Sequence, residues 1–164
     1  MKCKLDLPYP KICVAQKNPQ LARLLMHCYA GEVSEETAIH QYMYQSFYLK
    51  QENAELSDIL SQIGEVEMRH LQMLGFLIRK LGVYPLFLDP TDNYNAFWSG
   101  KYICYETNLT EMFQANIYAE QKAIREYNAL IQTIDDECVK EILKRIVLDE
   151  RLHLEIFEKI LASL

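Results

Sequence analysis

Glu67-Met68-Arg69-His70 and Glu150-Arg151-Leu152-His153 decide how this chain folds. Each sets a carboxylate and an imidazole three residues apart, the spacing that puts two side chains on one face of a helix. With 16 glutamates among 164 residues, a given histidine has about a one-in-ten chance of a Glu three before it. One such pair is therefore weak, and a solvated helical charge pair explains it. Here two of the four histidines carry it, and each has a matched partner upstream. Glu35-x-x-Ala38-x-x-x-Tyr42 precedes the first pair, and Glu120-x-x-Ala123-x-x-x-Tyr127 precedes the second. The second set repeats the first 85 and 83 residues further along.

Working outward, the two glutamates of each set are 32 and 30 residues apart, and their midpoints fall on the polar tracts at 51–53 and 135–136. Residues equidistant from a turn lie at the same level of an antiparallel helix pair. Glu35 then faces the level of Glu67, and Glu120 that of Glu150, each about 22 Å from its turn. All four motifs meet in one layer if the two turns lie at opposite ends of a bundle. That arrangement needs a connection running the length of the bundle, and residues 83–107, which lack a helical period, are long enough to supply it. The spacing predicts helices over about 18–51, 53–81, 108–133 and 135–164. Asn18-Pro19 opens the first as an N-cap with Pro at the first helical position, and Asn108 with Glu111 resembles a capping box. Gly31 marks a kink or a break, Gly82 sits where a helix-terminating glycine belongs, and residues 1–17 read as an extended lead-in. Every Pro lies in 1–19 or in 85–90, outside the long stretches. The expected architecture is all-α: one antiparallel four-helix bundle over 1–164, with a long crossover between helices 2 and 3.

Four carboxylates and two imidazoles facing inward would repel and pay a large desolvation cost, which two divalent cations would offset. The expected ligands are Glu35, Glu67, His70, Glu120, Glu150 and His153. In one division Glu67 and Glu150 bridge while Glu35/His70 and Glu120/His153 are terminal; the mirror pairing of the histidines is equally open. Oxygen-rich ligation with one histidine per ion suits two Fe or two Mn. Asp149, just before Glu150, is a candidate to accept a hydrogen bond from a metal-bound imidazole, that of His70 first, or else is solvated. Tyr42 and Tyr127 lie two turns beyond their glutamates, as core tyrosines or as partners of the ligands. His40 pairs with Glu36 at the surface, and Trp98 anchors the crossover.

Seventeen basic against 23 acidic residues give a net charge of −6, which argues against a nucleic-acid surface. No run approaches the roughly 20 apolar residues of a membrane span, and the start MKCKLDLPYPK does not read as a signal peptide. The five cysteines are scattered, odd in number and without a CxxC pair, so they read as free thiols in a reducing cytoplasm.

At these residues the sequence resembles the ferritin-like di-metal superfamily, over about residues 18–164. Glu35-Glu36-Thr37-Ala38-Ile39-His40-Gln41-Tyr42 and Glu67-Met68-Arg69-His70 are similar to the first two helices of bacterioferritin. Leu7-Pro8-Tyr9-Pro10, Ala30-Gly31-Glu32-Val33-Ser34-Glu35 and Ile146-Val147-Leu148-Asp149-Glu150 are similar to rubrerythrin-like and manganese-catalase-like proteins, spore-coat relatives included. Ala123 stands where rubrerythrins carry a second helix-3 glutamate, and the rubredoxin-like CxxC pattern is absent. Met68 occupies the place of the haem-binding Met of bacterioferritin but reads as a surface or interface residue, so haem is not expected. The resemblance implies a cytoplasmic di-iron or di-manganese oxidoreductase acting on hydrogen peroxide or O2, as a homo-oligomer with a dimer favoured. Iron storage with ferroxidation, and a non-enzymatic coat protein retaining a metal site, are the other readings it implies.

Overall fold

The computed structural model describes residues 2–90 and 93–164; Thr91 and Asp92, inside the expected crossover, and Met1 lie outside it. Helices α1 (Pro19–Ala30), α2 (Glu35–Leu49), α3 (Ala54–Lys80), α4 (Leu109–Thr133) and α5 (Glu137–Ser163) account for nearly all regular structure. The bundle is all-helical, and its first long helix comes in two pieces. The 12 residues of α1 and 15 of α2 together match the 27 of α3. α2 packs against α3 and α4 against α5, as two antiparallel hairpins.

Local chemistry sets the ends. Asn18, Asn53, Asn108 and Asp136 each accept a hydrogen bond from the backbone N–H three residues on, the N-cap device, worth about 1 kcal/mol apiece. α3 ends as a Schellman motif. Gly82 takes φ +102°, its N–H reaches Arg79 O at 3.2 Å, and that of Val83 reaches Ile78 O at 3.1 Å.

The break at Gly31 is built from hydroxyls. Ser34 and Thr37 both donate to Gly31 O, at 2.8 and 3.0 Å, and Ser34 caps α2. A Cβ on Gly31 would lie 2.6 Å from His27 O, so the close backbone approach needs glycine. Because the break falls here, Glu35 becomes the first residue of α2, where the helix N-terminus favours a carboxylate.

The crossover runs beside α1 and α2. Phe87 stacks on Tyr29 at 5.1 Å, Trp98 Nε1 donates to Thr37 Oγ1 at 2.8 Å, and Cys104 N donates to Gln41 Oε1 at 2.9 Å. Trp98 also stacks on His40, which pairs with Glu36 as expected. The crossover carries a 3-10 turn at Gly100–Tyr102 and an isolated bridge between Leu88 and Phe97.

Two apolar clusters fill the bundle. One gathers Leu25, Leu74, Leu77, Ile142 and Ile146; the other gathers Leu49, Leu60, Ile63, Phe113 and Phe157. On α3 the pair Glu67 and His70 lies between Ile63 and Leu74, and on α5 Glu150 and His153 lie between Ile146 and Phe157. A polar layer thus separates two dry ones.

The cysteine expectation is overturned. Cys13 and Cys138 form a disulfide with their Cα atoms 5.5 Å apart; Cys3, Cys28 and Cys104 are free. The spacing in sequence is 125 residues, so no local pattern announces the bond. It forms because the lead-in lies along α5: Ala15 N donates to Asp136 Oδ2 at 2.7 Å. No helix among the described residues is long and apolar enough to cross a membrane.

Candidate metal centre

All six residues singled out by the motif repeat meet in the polar layer, and each is at least 95% buried. They form two interlocked groups: Glu35, Glu67, His70 and Glu150, and Glu67, Glu120, Glu150 and His153. Both imidazoles turn Nδ1 inward. His70 Nδ1 lies 2.8 Å from Glu67 Oε2, 2.9 Å from Glu150 Oε1 and 3.6 Å from Glu35 Oε2. His153 Nδ1 lies 2.8 Å from Glu67 Oε1, 3.6 Å from Glu150 Oε2 and 4.0 Å from Glu120 Oε1. Glu67 and Glu150 therefore each give one oxygen to either group. Of the two histidine pairings the sequence left open, the geometry adopts Glu35 with His70 and Glu120 with His153.

The outer nitrogens are held from behind. His153 Nε2 is 2.8 Å from Cys3 O, a carbonyl that only accepts, so Nε2 carries a hydrogen and Nδ1 is the nitrogen turned to the layer. His70 Nε2 is 3.2 Å from Asp149 Oδ2. Asp149 also receives Leu5 N at 3.0 Å and Tyr9 Oη at 2.7 Å, and Arg145 Nη1 lies 2.8 Å away. Burial alone would raise the Asp149 carboxyl; His70, Leu5, Arg145 and Tyr9 together hold it well below the usual carboxylate range. Of the two readings the sequence left for Asp149, the geometry has it buried beside His70 rather than solvated.

Tyr42 and Tyr127 do not bond the glutamates of their own helices. Tyr42 on α2 donates to Glu120 on α4, and Tyr127 on α4 donates to Glu35 on α2. Both rings are fully buried, so they serve as core and as carboxylate partners together.

The electrostatics show a layer short of positive charge. Burial and the nearby Glu150 raise the carboxyls of Glu35 and Glu120 well above their ordinary range. Burial also opposes the ionised forms of Glu67 and Glu150, but contacts to His153 and His70 hold both below that range. Burial would strip the imidazoles of their protons, yet the surrounding carboxylates raise both well above the ordinary value. Protons thus stand where cations would.

The contacts carry a second sign of the same need. Glu67 Oε1, Glu150 Oε1 and His153 Nδ1 are buried without hydrogen-bond partners, although His153 Nδ1 and Glu67 Oε1 are 2.8 Å apart. Such atoms are close but not aligned to one another; they converge on shared points. Two ligands about 2.1 Å from one octahedral ion, at right angles, lie about 3 Å apart. The donor set fits two hard-to-borderline cations.

A cavity of about 190 Å³ lies between α2, α4 and the crossover and reaches Glu35, Glu120 and Glu150. Ala38 and Ala123, the alanines of the repeated motif, line it, so their small size leaves access to the layer. Several contributors escaped the sequence reading, the lead-in groups of Cys3, Leu5 and Tyr9 among them. Gln41, Gln45 and Asn116 form a buried amide cluster between α2 and α4, with Asn116 Nδ2 donating to Gln45 Oε1 at 2.7 Å. Their signal was a polar residue recurring in a core-facing position. Arg145 was legible only as the i−4 partner of Asp149.

The rubrerythrin family profile matches residues 24–161. A probable manganese catalase of Clostridium acetobutylicum is 24% identical, over 92% of this chain and 74% of its own length. An uncharacterized Bacillus subtilis protein, YjqC, is 24% identical; the match takes in 85% of this chain, which spans only 61% of that relative's length. Among solved structures, KatB, a manganese catalase from Anabaena PCC7120, superposes with a TM-score of 0.86 at 31% identity, covering 97% of this chain and 78% of KatB. Mycobacterium tuberculosis bacterioferritin BfrA gives 0.74 at 26% identity, covering 90% and 87%. The family match takes in both hairpins and all six clustered residues, and the chain belongs to the rubrerythrin family, with a ferritin-like four-helix bundle.

Proposed function

We propose that this protein is a di-metal oxidoreductase that disproportionates hydrogen peroxide, with two manganese or two iron ions held between α2, α3, α4 and α5. The observation that carries the reading is that Glu67 and Glu150 each offer one oxygen to both ligand groups. In this reading Glu67 and Glu150 would be shared by the two ions, Glu35 and His70 would complete one ion's set, and Glu120 and His153 the other's. A bound pair of such ions supplies a two-electron change, each moving between +2 and +3.

The chain's own groups do the rest. The phenols of Tyr127 and Tyr42 fix the carboxylates of Glu35 and Glu120. Those two carboxyls border the cavity, within reach of a small molecule that enters it. Ala38 and Ala123 leave a passage for a molecule as small as peroxide or O2. Disproportionation needs no outside electron donor, since one peroxide supplies the electrons that the next consumes. The likeness to manganese catalases supports this choice, and the likeness to bacterioferritin supports a ferroxidase as the runner-up. The exposed Phe47, Met68 and Phe76 on α2 and α3 support a homo-oligomer, read here as a dimer.

Metal analysis of the purified protein followed by an oxygen-electrode trace tests the proposal. Two Mn or Fe per chain and O2 release on adding peroxide support it. Less than one ion per chain after metal supplementation overturns the di-metal reading. Iron-dependent O2 consumption by a large cage-like particle supports storage instead. Ala38→Leu should narrow the cavity and lower kcat/KM for peroxide with metal content unchanged.

A further inference from the structure

Residues 2–17 stand outside the repeated hairpins, yet they touch the back of both histidines. The segment forms no helix or strand and lies along α5 in the opposite direction. Cys3 O meets His153, Leu5 N and Tyr9 Oη meet Asp149, and Leu5 O and Leu7 O accept from Arg145 Nη2 at 3.2 Å. The Arg145 guanidinium also lies over the Tyr9 ring at 4.3 Å. One imidazole is thus fixed by the strap directly. The other is fixed through Asp149, most of whose remaining partners are strap groups or a side chain the strap holds. A segment without regular structure stays in place only through its anchors. Its strongest anchor is the Cys13–Cys138 bond to the first turn of α5, next to the Ala15–Asp136 contact.

We propose that the N-terminal strap is a redox-controlled clamp on the metal centre: the Cys13–Cys138 disulfide holds residues 3–9 against the outer nitrogens of His70 and His153, and opening it loosens the metals. The proposal rests on the di-metal reading. The chemistry is thiol–disulfide exchange with a dithiol reductant. Two electrons and two protons pass from the dithiol to the protein disulfide, giving two protein thiols and an oxidised dithiol, and the metal ions take no part. With the strap released, His153 Nε2 loses its acceptor and Asp149 loses Leu5 and Tyr9. The imidazoles are then less firmly aimed. Losing such outer partners lowers metal affinity by about 10–100-fold.

The test follows metal release to a chromophoric chelator from the full-length loaded protein, oxidised and after dithiothreitol, with circular dichroism confirming that both remain folded. Reduction should speed release about tenfold or more, and reoxidation should restore the slow rate. The double variant Cys13→Ser/Cys138→Ser should release metal fast and ignore dithiothreitol. Tyr9→Phe keeps the disulfide and removes only the hydroxyl on Asp149; it should release metal at an intermediate rate, which separates aiming of His70 from a general loss of stability. Equal release from oxidised and reduced protein overturns the clamp. Hydrogen exchange at the Leu5 amide, donated to the buried Asp149, gives an arm that needs no metal. Protection lost on reduction supports strap release, and unchanged protection overturns it. A protein that binds no metal in either state overturns the di-metal reading, a result distinct from both.

Discussion

Burial opposes ionisation of the carboxyls in this layer and the nearby Glu150 adds repulsion, and the raised proton affinity of Glu35 and Glu120 is the result. Metal uptake must displace those protons, so affinity should rise with pH and binding should release protons, measurable by titration in weakly buffered solution. The metal-free chain should respond in the opposite sense. His70, His153, Glu35 and Glu120 have raised folded-state values. Their contribution to stability is complete below the ordinary values, about 6.5 for His and 4.3 for Glu, and is lost as pH climbs through the raised ones. Denaturant midpoints of metal-free protein should therefore fall on the alkaline side of neutrality while metal affinity still increases. Substitution separates the roles of the glutamates. Glu67→Ala should reduce metal content from two ions towards none, because its two oxygens face both groups, whereas Glu35→Ala should spare the ion beside His153. Elemental analysis checks both, and one retained ion in Glu67→Ala would contradict bridging.

At the scale of an element, the break between α1 and α2 does more than interrupt a helix. It makes Glu35 an N-terminal residue of α2 and turns Gly31 O toward two hydroxyls. Gly31→Ala would force a Cβ against His27 O and should destabilise the protein by about 1–3 kcal/mol, read from urea midpoints. The same variant should weaken the Glu35 side of the centre before the Glu120 side, since α4 has no such break.

For the whole molecule, the polar layer lies between two buried hydrophobic clusters. The metal-free chain should therefore stay folded but melt lower. Ligand linkage gives about 4 kcal/mol at a thousandfold excess over Kd. Removing the ions with a chelator should lower Tm by several degrees in a calorimetric scan, and adding Mn or Fe should restore it. An unchanged Tm would mean that the layer binds nothing under those conditions.

The repeated motif alone determined the bundle, because i, i+3 spacing and mirrored distances leave few other ways to bring six such residues together. It also determined the crossover, because turns at opposite ends require a connection running the bundle's length. The helix ends followed from Asn18, Asn108 and Gly82, whose effects are local. The finer pairings within and around the polar layer needed the tertiary structure. Tyr42 and Tyr127 reach each other's hairpin, since each side chain leans back toward the N-terminal level of its helix, where the glutamate of the facing helix lies. The histidine pairing was symmetric in sequence and was fixed only by how the hairpins dock. The strap and its disulfide were invisible for the same reason: Cys13 and Cys138 stand 125 residues apart, and only the lie of an irregular segment along α5 brings them together.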